Sequence, residues 1–162
     1  MFKIYFDGSI TQNPGGSAYA GVVIYKDKAP IAKLSQFVGS GSYMSSNVAE
    51  YAGVILGMQY LLFKNLTGAK VHIFGDSQIV INALNRRRPS HGLCYNHSQK
   101  AISLSIQFPD IKFTWIPRYK NTEADSLAGN PRTRYEDPIT REYMDRFASS
   151  ERLSVSAGSK NG

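Results

Sequence analysis

Over the first forty residues the apolar positions form short β-branched and aromatic runs, and from Asn47 onward they recur at three- and four-residue intervals. The chain therefore reads as strands first and as alternating helices and strands afterwards. Phe2 to Phe6 is a first strand. A turn-rich SITQNPGGS follows, then a second strand over Tyr19 to Tyr25, a turn at Asp27 to Pro30, and a third strand over Ile31 to Val38. Such short connections predict an antiparallel meander. Ala49, Gly53, Leu56, Tyr60 and Phe63, broadened by Ala52, Ile55 and Leu62, predict a long helix buried on one side. Gly68 ends it. Val71 to Phe74 reads as a buried strand, Ser77 to Leu84 as a second helix, and Arg86 to Gly92 as a basic loop. His97 to Phe108 is a third helix, Ile111 to Ile116 a fifth strand, and Thr122 to Ala128 a last helix.

These elements predict an α/β fold: a five-stranded mixed sheet, three antiparallel strands followed by a βαβα run, flanked by helices. The crossover through the long helix makes the first and fourth strands parallel neighbours whose carboxyl ends share one edge. Asp7 and Asp76 then stand side by side at two strand ends, outside the strands themselves. From Arg132 the composition shifts, with Pro131 and Pro138, a possible helix at Ile139 to Phe147, and a polar SSERLSVSAGSKNG. Residues 1–130 are expected to be one domain. Residues 131–162 are expected to be an extension, partly helical and then disordered.

Composition narrows the setting. A chain of 162 residues with 42% hydrophobic content suits a single core. Nineteen Lys and Arg against twelve Asp and Glu, a formal charge of +7, favour a polyanionic partner, nucleic acid first. The lone Cys94 excludes an internal disulfide framework and a cysteine-based zinc site. MFKIYFDGS opens as a strand and not as a secretion signal, and VILGMQYLLF is about half of the ~20 apolar residues a membrane span needs. The expectation is a monomer in a reducing cytoplasm, with no membrane association.

The candidate chemistry lies in four acids on four segments: Asp7 in YFDGS, Glu50 in SSNVAEY, Asp76 in IFGDSQ and Asp125 in NTEADSLA. Clustered carboxylates repel one another unless a cation lies among them. Magnesium prefers such oxygen ligands, and two ions about 4 Å apart can activate a water and stabilise the leaving oxygen of a phosphodiester. Each acid alone has a plainer explanation. Asp7 suits a turn, Asp76 a helix cap, and Glu50 and Asp125 suit capping boxes with Asn47 and Thr122. All four together, at the ends of the right elements, favour the metal site.

The chain resembles the type I ribonucleases H, in their short prokaryotic and plant-like branch, over Phe2 to about Ala128. The resemblance rests on FDGS with NPGGSAYAGVVIY, on SNVAEYAGVILGMQYL, on IFGDSQIVINAL and on WIPRYKNTEADSLA. It implies the three-layer ribonuclease-H-like fold. It implies that Asp7, Glu50, Asp76 and Asp125 are the metal-binding and catalytic acids, holding two Mg²⁺ or Mn²⁺ ions. It implies hydrolysis of the RNA strand of RNA–DNA hybrids to 5′-phosphate and 3′-hydroxyl ends.

The resemblance also implies substrate contacts. Asn13, Ser46 and Gln78 match residues that meet ribose 2′-hydroxyls, and Ser45 and Asn47 match a phosphate pocket for the DNA strand, although Ser45 to Asn47 equally suit plain helix capping. The loop that carries a histidine in many relatives reads Pro117, Arg118, Tyr119 and Lys120 here. Arg118 is a fixed cation for phosphate and no general base. The stretch Asn85 to Gln99 is too short for the basic protrusion of longer relatives, and Arg86 to Arg88 suit either a solvated loop or phosphate contact. His72 and Trp115 are expected to be structural, Trp115 in the core, and Cys94 inert. Two competing readings are a hybrid-binding module without catalysis and a DNA nuclease or resolvase on the same fold.

Overall fold

The computed structural model describes residues 1–129; the expected helix and disordered tail over 131–162 lie outside them. β1 (Phe2–Ile10), β2 (Gly15–Lys26) and β3 (Ala29–Gly41) form the antiparallel meander. α1 (Ser46–Phe63) crosses over to β4 (Val71–Gly75), which lies parallel to β1. α2 (Gln78–Arg86) and α3 (Tyr95–Ile106) lead to β5 (Ile111–Trp115), parallel to β4, and α4 (Thr122–Gly129) closes the described chain. The sheet order is β3-β2-β1-β4-β5. The mixed sheet and its parallel centre are as the hydrophobic pattern predicts.

Neighbouring residues of β2 show how the helices are layered. Side chains alternate across a strand. Val22 points to α1, where its Cγ2 would lie 3.2 Å from a Cβ on Gly57. Gly21 points the other way, where a Cβ would come within 2.4 Å of the Ala128 nitrogen in α4. Helices thus cover both faces, and the main core, including Ile4, Phe6, Ile24, Ile55, Leu56 and Phe108, fills the α1 side. Burying each such side chain fully contributes roughly 1.5–3 kcal/mol.

Two expectations need correction. α1 is buried on nearly every side, not one, because α3 and the sheet enclose it: Val48, Ala49, Tyr51, Ala52, Val54, Ile55 and Leu56 are all 0% exposed. Asp7 is not beyond a strand end. β1 continues to Ile10 by pairing with β2 alone, with Asp7 opposite Gly21, and Asp7 is buried inside the strand. Its partnership with β4 stops at Tyr5, opposite Phe74, and that is the end visible in the apolar run.

Candidate active site

The acids converge where β1 outruns β4. Asp7 comes from within β1, Asp76 from the residue after β4, and Glu50 from the second turn of α1. Oxygens of these three carboxylates lie within 4.8 Å of one another. A close approach of backbones makes this possible: a Cβ on Gly8 would sit 2.4 Å from the Ala49 carbonyl carbon and the Glu50 nitrogen, so α1 docks against β1 only over a glycine. Neither Glu50 nor Asp76 is consumed in helix capping. Ser45 caps α1, its hydroxyl accepting from the Val48 N–H at 3.2 Å, and Ser77 caps α2, accepting from Val80 at 3.3 Å.

Asp125 enters from the first turn of α4 and lines the same cleft, of about 520 Å³, with Trp115 and Arg118 on its rim. Its partner is Arg118, at 3.6 Å. α4 is fixed to β1 beneath it: buried Asn121 donates from Nδ2 to the Phe6 carbonyl at 2.8 Å, and the Ser9 hydroxyl donates to the Ala128 carbonyl at 2.7 Å.

Burial dominates the electrostatics. It raises Asp7 to about 7, with a hydrogen bond to Asp125 and the charge of Asp76 acting the same way, against bonds from Glu50 and the Gly8 N–H. Burial and then the Asp7 charge hold Glu50 well above the usual carboxylate range, and its Oε2 is sealed without a partner. Burial also raises Asp76, which Arg118 opposes. These acids are poorly stabilised by the protein itself. The all-oxygen donor set and the orphaned Oε2 fit a hard divalent cation, whose charge would offset the repulsion.

The remaining residues singled out in the sequence divide. Ser46 and Arg118 line the cleft. Asn13 joins it through Ser46, donating from Nδ2 to Ser46 Oγ at 3.0 Å and accepting the Ser46 N–H at 3.1 Å. Ser45 acts as the cap already described, Asn47 is half-buried in the first turn of α1, and Gln78 is exposed at the start of α2. Arg86 to Arg88 are exposed, with Arg87 in the left-handed cap of α2 at φ 52°. His72 is structural, its Nε2 bonded to Thr114 Oγ1 at 2.7 Å. Cys94 is buried.

Trp115 departs from expectation. On the edge strand β5 it is 42% exposed and donates from Nε1 to the Asp76 carbonyl at 3.0 Å, on the cleft rim instead of in the core. Asn121 was not foreseen at all. The only sequence signal for it is an amide immediately before a helix that carries a candidate acid.

A mixed sheet in this order with acids at its parallel centre defines the ribonuclease-H-like fold. The chain belongs to the reverse transcriptase-like family, whose sequence model matches residues 5–130. It is 33% identical over 126 residues to a bifunctional protein of Mycobacterium tuberculosis, covering 76% of this chain and 33% of that protein. The chain thus spans about a third of the length of the curated mycobacterial relatives it matches. Among solved structures, the N-terminal ribonuclease H domain of a Mycobacterium tuberculosis protein superposes with a TM-score of 0.70 at 29% identity, covering 80% of this chain and 97% of that one. A ribonuclease H from compost, solved with an RNA/DNA hybrid, gives 0.72 at 26% identity, covering 81% and 96%. Among the described residues no helix is long and apolar enough to cross a membrane.

Proposed function

We propose that the chain is an endoribonuclease that hydrolyses the RNA strand of RNA–DNA hybrids with two divalent cations, Mg²⁺ or Mn²⁺, leaving 5′-phosphate and 3′-hydroxyl ends. Residues 1–130 are its catalytic domain, acting as a monomer in a reducing cytoplasm. The observation that carries this reading is the convergence of Asp7, Glu50 and Asp76 within 4.8 Å at the centre of the sheet. Asp125 on the cleft wall is the fourth acid. The solved relative bound to an RNA/DNA hybrid supports the choice of substrate.

Asp7, Glu50, Asp76 and Asp125 would hold the cations. When bound, these supply a positive centre for the scissile phosphate, an activated water and stabilisation for the departing oxygen. The net reaction joins the water oxygen to phosphorus and breaks its bond to the 3′ oxygen, which leaves with a proton. Arg118, 80% exposed on its side chain, is the protein's own cation beside the cleft and orients phosphate without exchanging protons. The Asn13 amide and Ser46 hydroxyl form one polar unit on the rim, suited to donate to and accept from a ribose 2′-hydroxyl, and Gln78 offers the same chemistry from α2. The Ser45 hydroxyl accepts from Val48 and keeps its own proton to donate, so Ser45 and Asn47 together meet the DNA phosphate at the start of α1.

The test uses labelled RNA–DNA, all-DNA and all-RNA duplexes with Mg²⁺, Mn²⁺ or a chelator, beside Asp7→Asn and Asp76→Asn. Cutting is expected only on the hybrid, only with metal, and is lost in both variants. Cleavage that survives the chelator or either substitution sinks the proposal. Preference for the all-DNA duplex assigns the site to a DNA nuclease instead.

A further inference from the structure

A second pocket, of about 370 Å³, opens on the α4 face of the sheet and is walled by the rings of Tyr5 and Tyr25. Tyr5 stacks on Phe74 at 4.9 Å and meets Tyr25 edge-on at 6.0 Å, so the aromatic wall is held rigidly from three strands. Lys3, Lys28 and Lys120 converge on the pocket. Its two acids are already engaged. Asp27 pairs with the Met1 ammonium at 3.1 Å, and Glu123 accepts a hydrogen bond from the Tyr25 hydroxyl and pairs with Lys33 at 3.7 Å. Among the described residues no carboxylate pairs with Lys3, Lys28 or Lys120. Lysines without acid partners around aromatic rings, in a cavity of nucleotide size, are the chemistry of a strand-binding site, where phosphate meets ammonium and a base meets a ring.

The pocket adjoins the acidic cleft through three shared elements. Arg118 of the cleft and Lys120 of the pocket stand on one 3-10 turn, Arg118–Lys120, whose Tyr119 is 74% exposed. Asp7 and Tyr5 are two residues apart on β1, hence about 7 Å apart on one face. Asp125 and Ala124 are adjacent in α4. We propose that this pocket binds a single-stranded nucleic-acid segment, and that a strand leaving the cleft crosses the Arg118–Lys120 turn to reach it. The pocket itself stands on its own chemistry; its place on the strand's path rests on the function proposed above.

The test is binding, in chelator, of a fluorescent DNA single strand of about ten nucleotides and, separately, of a blunt RNA–DNA hybrid, read by anisotropy across a salt series. The variants are Lys3→Gln with Lys28→Gln, and as a control of equal charge Lys64→Gln with Lys100→Gln, at the end of α1 and in α3 on the opposite layer. The first pair is expected to weaken single-strand binding about tenfold and to flatten its salt slope by about 1.4, roughly 0.7 for each lost phosphate contact. The control pair leaves both unchanged, and every variant holds the blunt hybrid within about twofold of the wild type. The proposal is overturned if the wild type does not bind the strand, if the first pair binds it as the wild type does, or if the control weakens it equally. Failure of the wild type to cut the hybrid in Mg²⁺ or Mn²⁺, with strand binding intact, refutes the function above and leaves the pocket supported.

Discussion

Asn121 and Phe6 are joined by a hydrogen bond from the buried amide to the strand carbonyl at 2.8 Å, and through it α4 is registered on β1 one residue from Asp7. The other end of that amide is unbonded among the described residues, its Oδ1 buried without a partner. Asn121→Ala strips a buried carbonyl of its donor and is expected to cost about 1–3 kcal/mol. Because Asp125 follows in the next turn, its N–H bonded to the Asn121 carbonyl at 3.0 Å, divalent-cation affinity should fall as well. Urea denaturation and calorimetric Mn²⁺ titration check the two effects. A variant as stable as the wild type would mean that the bond positions nothing.

The acids also set how stability depends on pH without metal. Asp7 is raised to about 7, from 3.8, by burial first and by the Asp125 hydrogen bond next. Between those values the folded protein keeps a proton that the unfolded chain has lost, so stability falls as pH rises through the window. The melting temperature in chelator should decline from about pH 4 to about pH 7, with the raised Glu50 and Asp76 adding to the decline in the same sense. Asp7→Asn should flatten the decline, and Mn²⁺ should restore the wild type at the upper end. A melting temperature that climbs with pH in chelator contradicts the assignment.

At Gly8 the backbone of α1 lies close against β1. A methyl group there would lie 2.4 Å from backbone atoms of Ala49 and Glu50, which cannot rotate aside. Gly8→Ala is therefore expected to push α1 off the sheet, at a cost of about 1–3 kcal/mol or more, and to carry Glu50 away from Asp7. Chemical denaturation measures the first effect and Mn²⁺ titration the second. Unchanged values for both would show that the approach is looser than the geometry requires.

What could be read in advance was what depends on side-chain periodicity. The meander, the crossover through α1 and the parallel placing of β1 beside β4 all follow from apolar spacing, and so did the meeting of Asp7 and Asp76. The extension of β1 did not. Gly8 and Ser9 look like turn residues, and only their pairing with Ala20 and Tyr19 keeps them extended. A ladder with a distant partner leaves no mark in local pattern. Glu50 shows the same limit: the spacing gives α1 an apolar stripe, but its enclosure on nearly every side depends on α3, which begins only at Tyr95. The capping serines were ambiguous because an N-cap and an anion site use the same residue types.

Trp115 supplies a direct readout of the cleft, because it is the only tryptophan of the chain. Its ring is half exposed beside Asp76, whose carbonyl it holds, on an edge strand with no further neighbour in the described sheet. A nucleic acid lying in the cleft covers that ring, and stacking of a base on it quenches its emission. Titrating the RNA–DNA hybrid in chelator should therefore quench Trp115 saturably, and adding salt should reverse the quench as phosphate contacts are lost. Trp115→Phe keeps an aromatic surface but removes the donor to Asp76, whereas Trp115→Ala removes both. If stacking matters more than the hydrogen bond, Phe should bind nearly as well as tryptophan, while Ala should lose about 1–3 kcal/mol of binding. Equal losses for the two would instead assign the residue to holding Asp76. Emission indifferent to saturating hybrid would place the nucleic acid outside this cleft altogether.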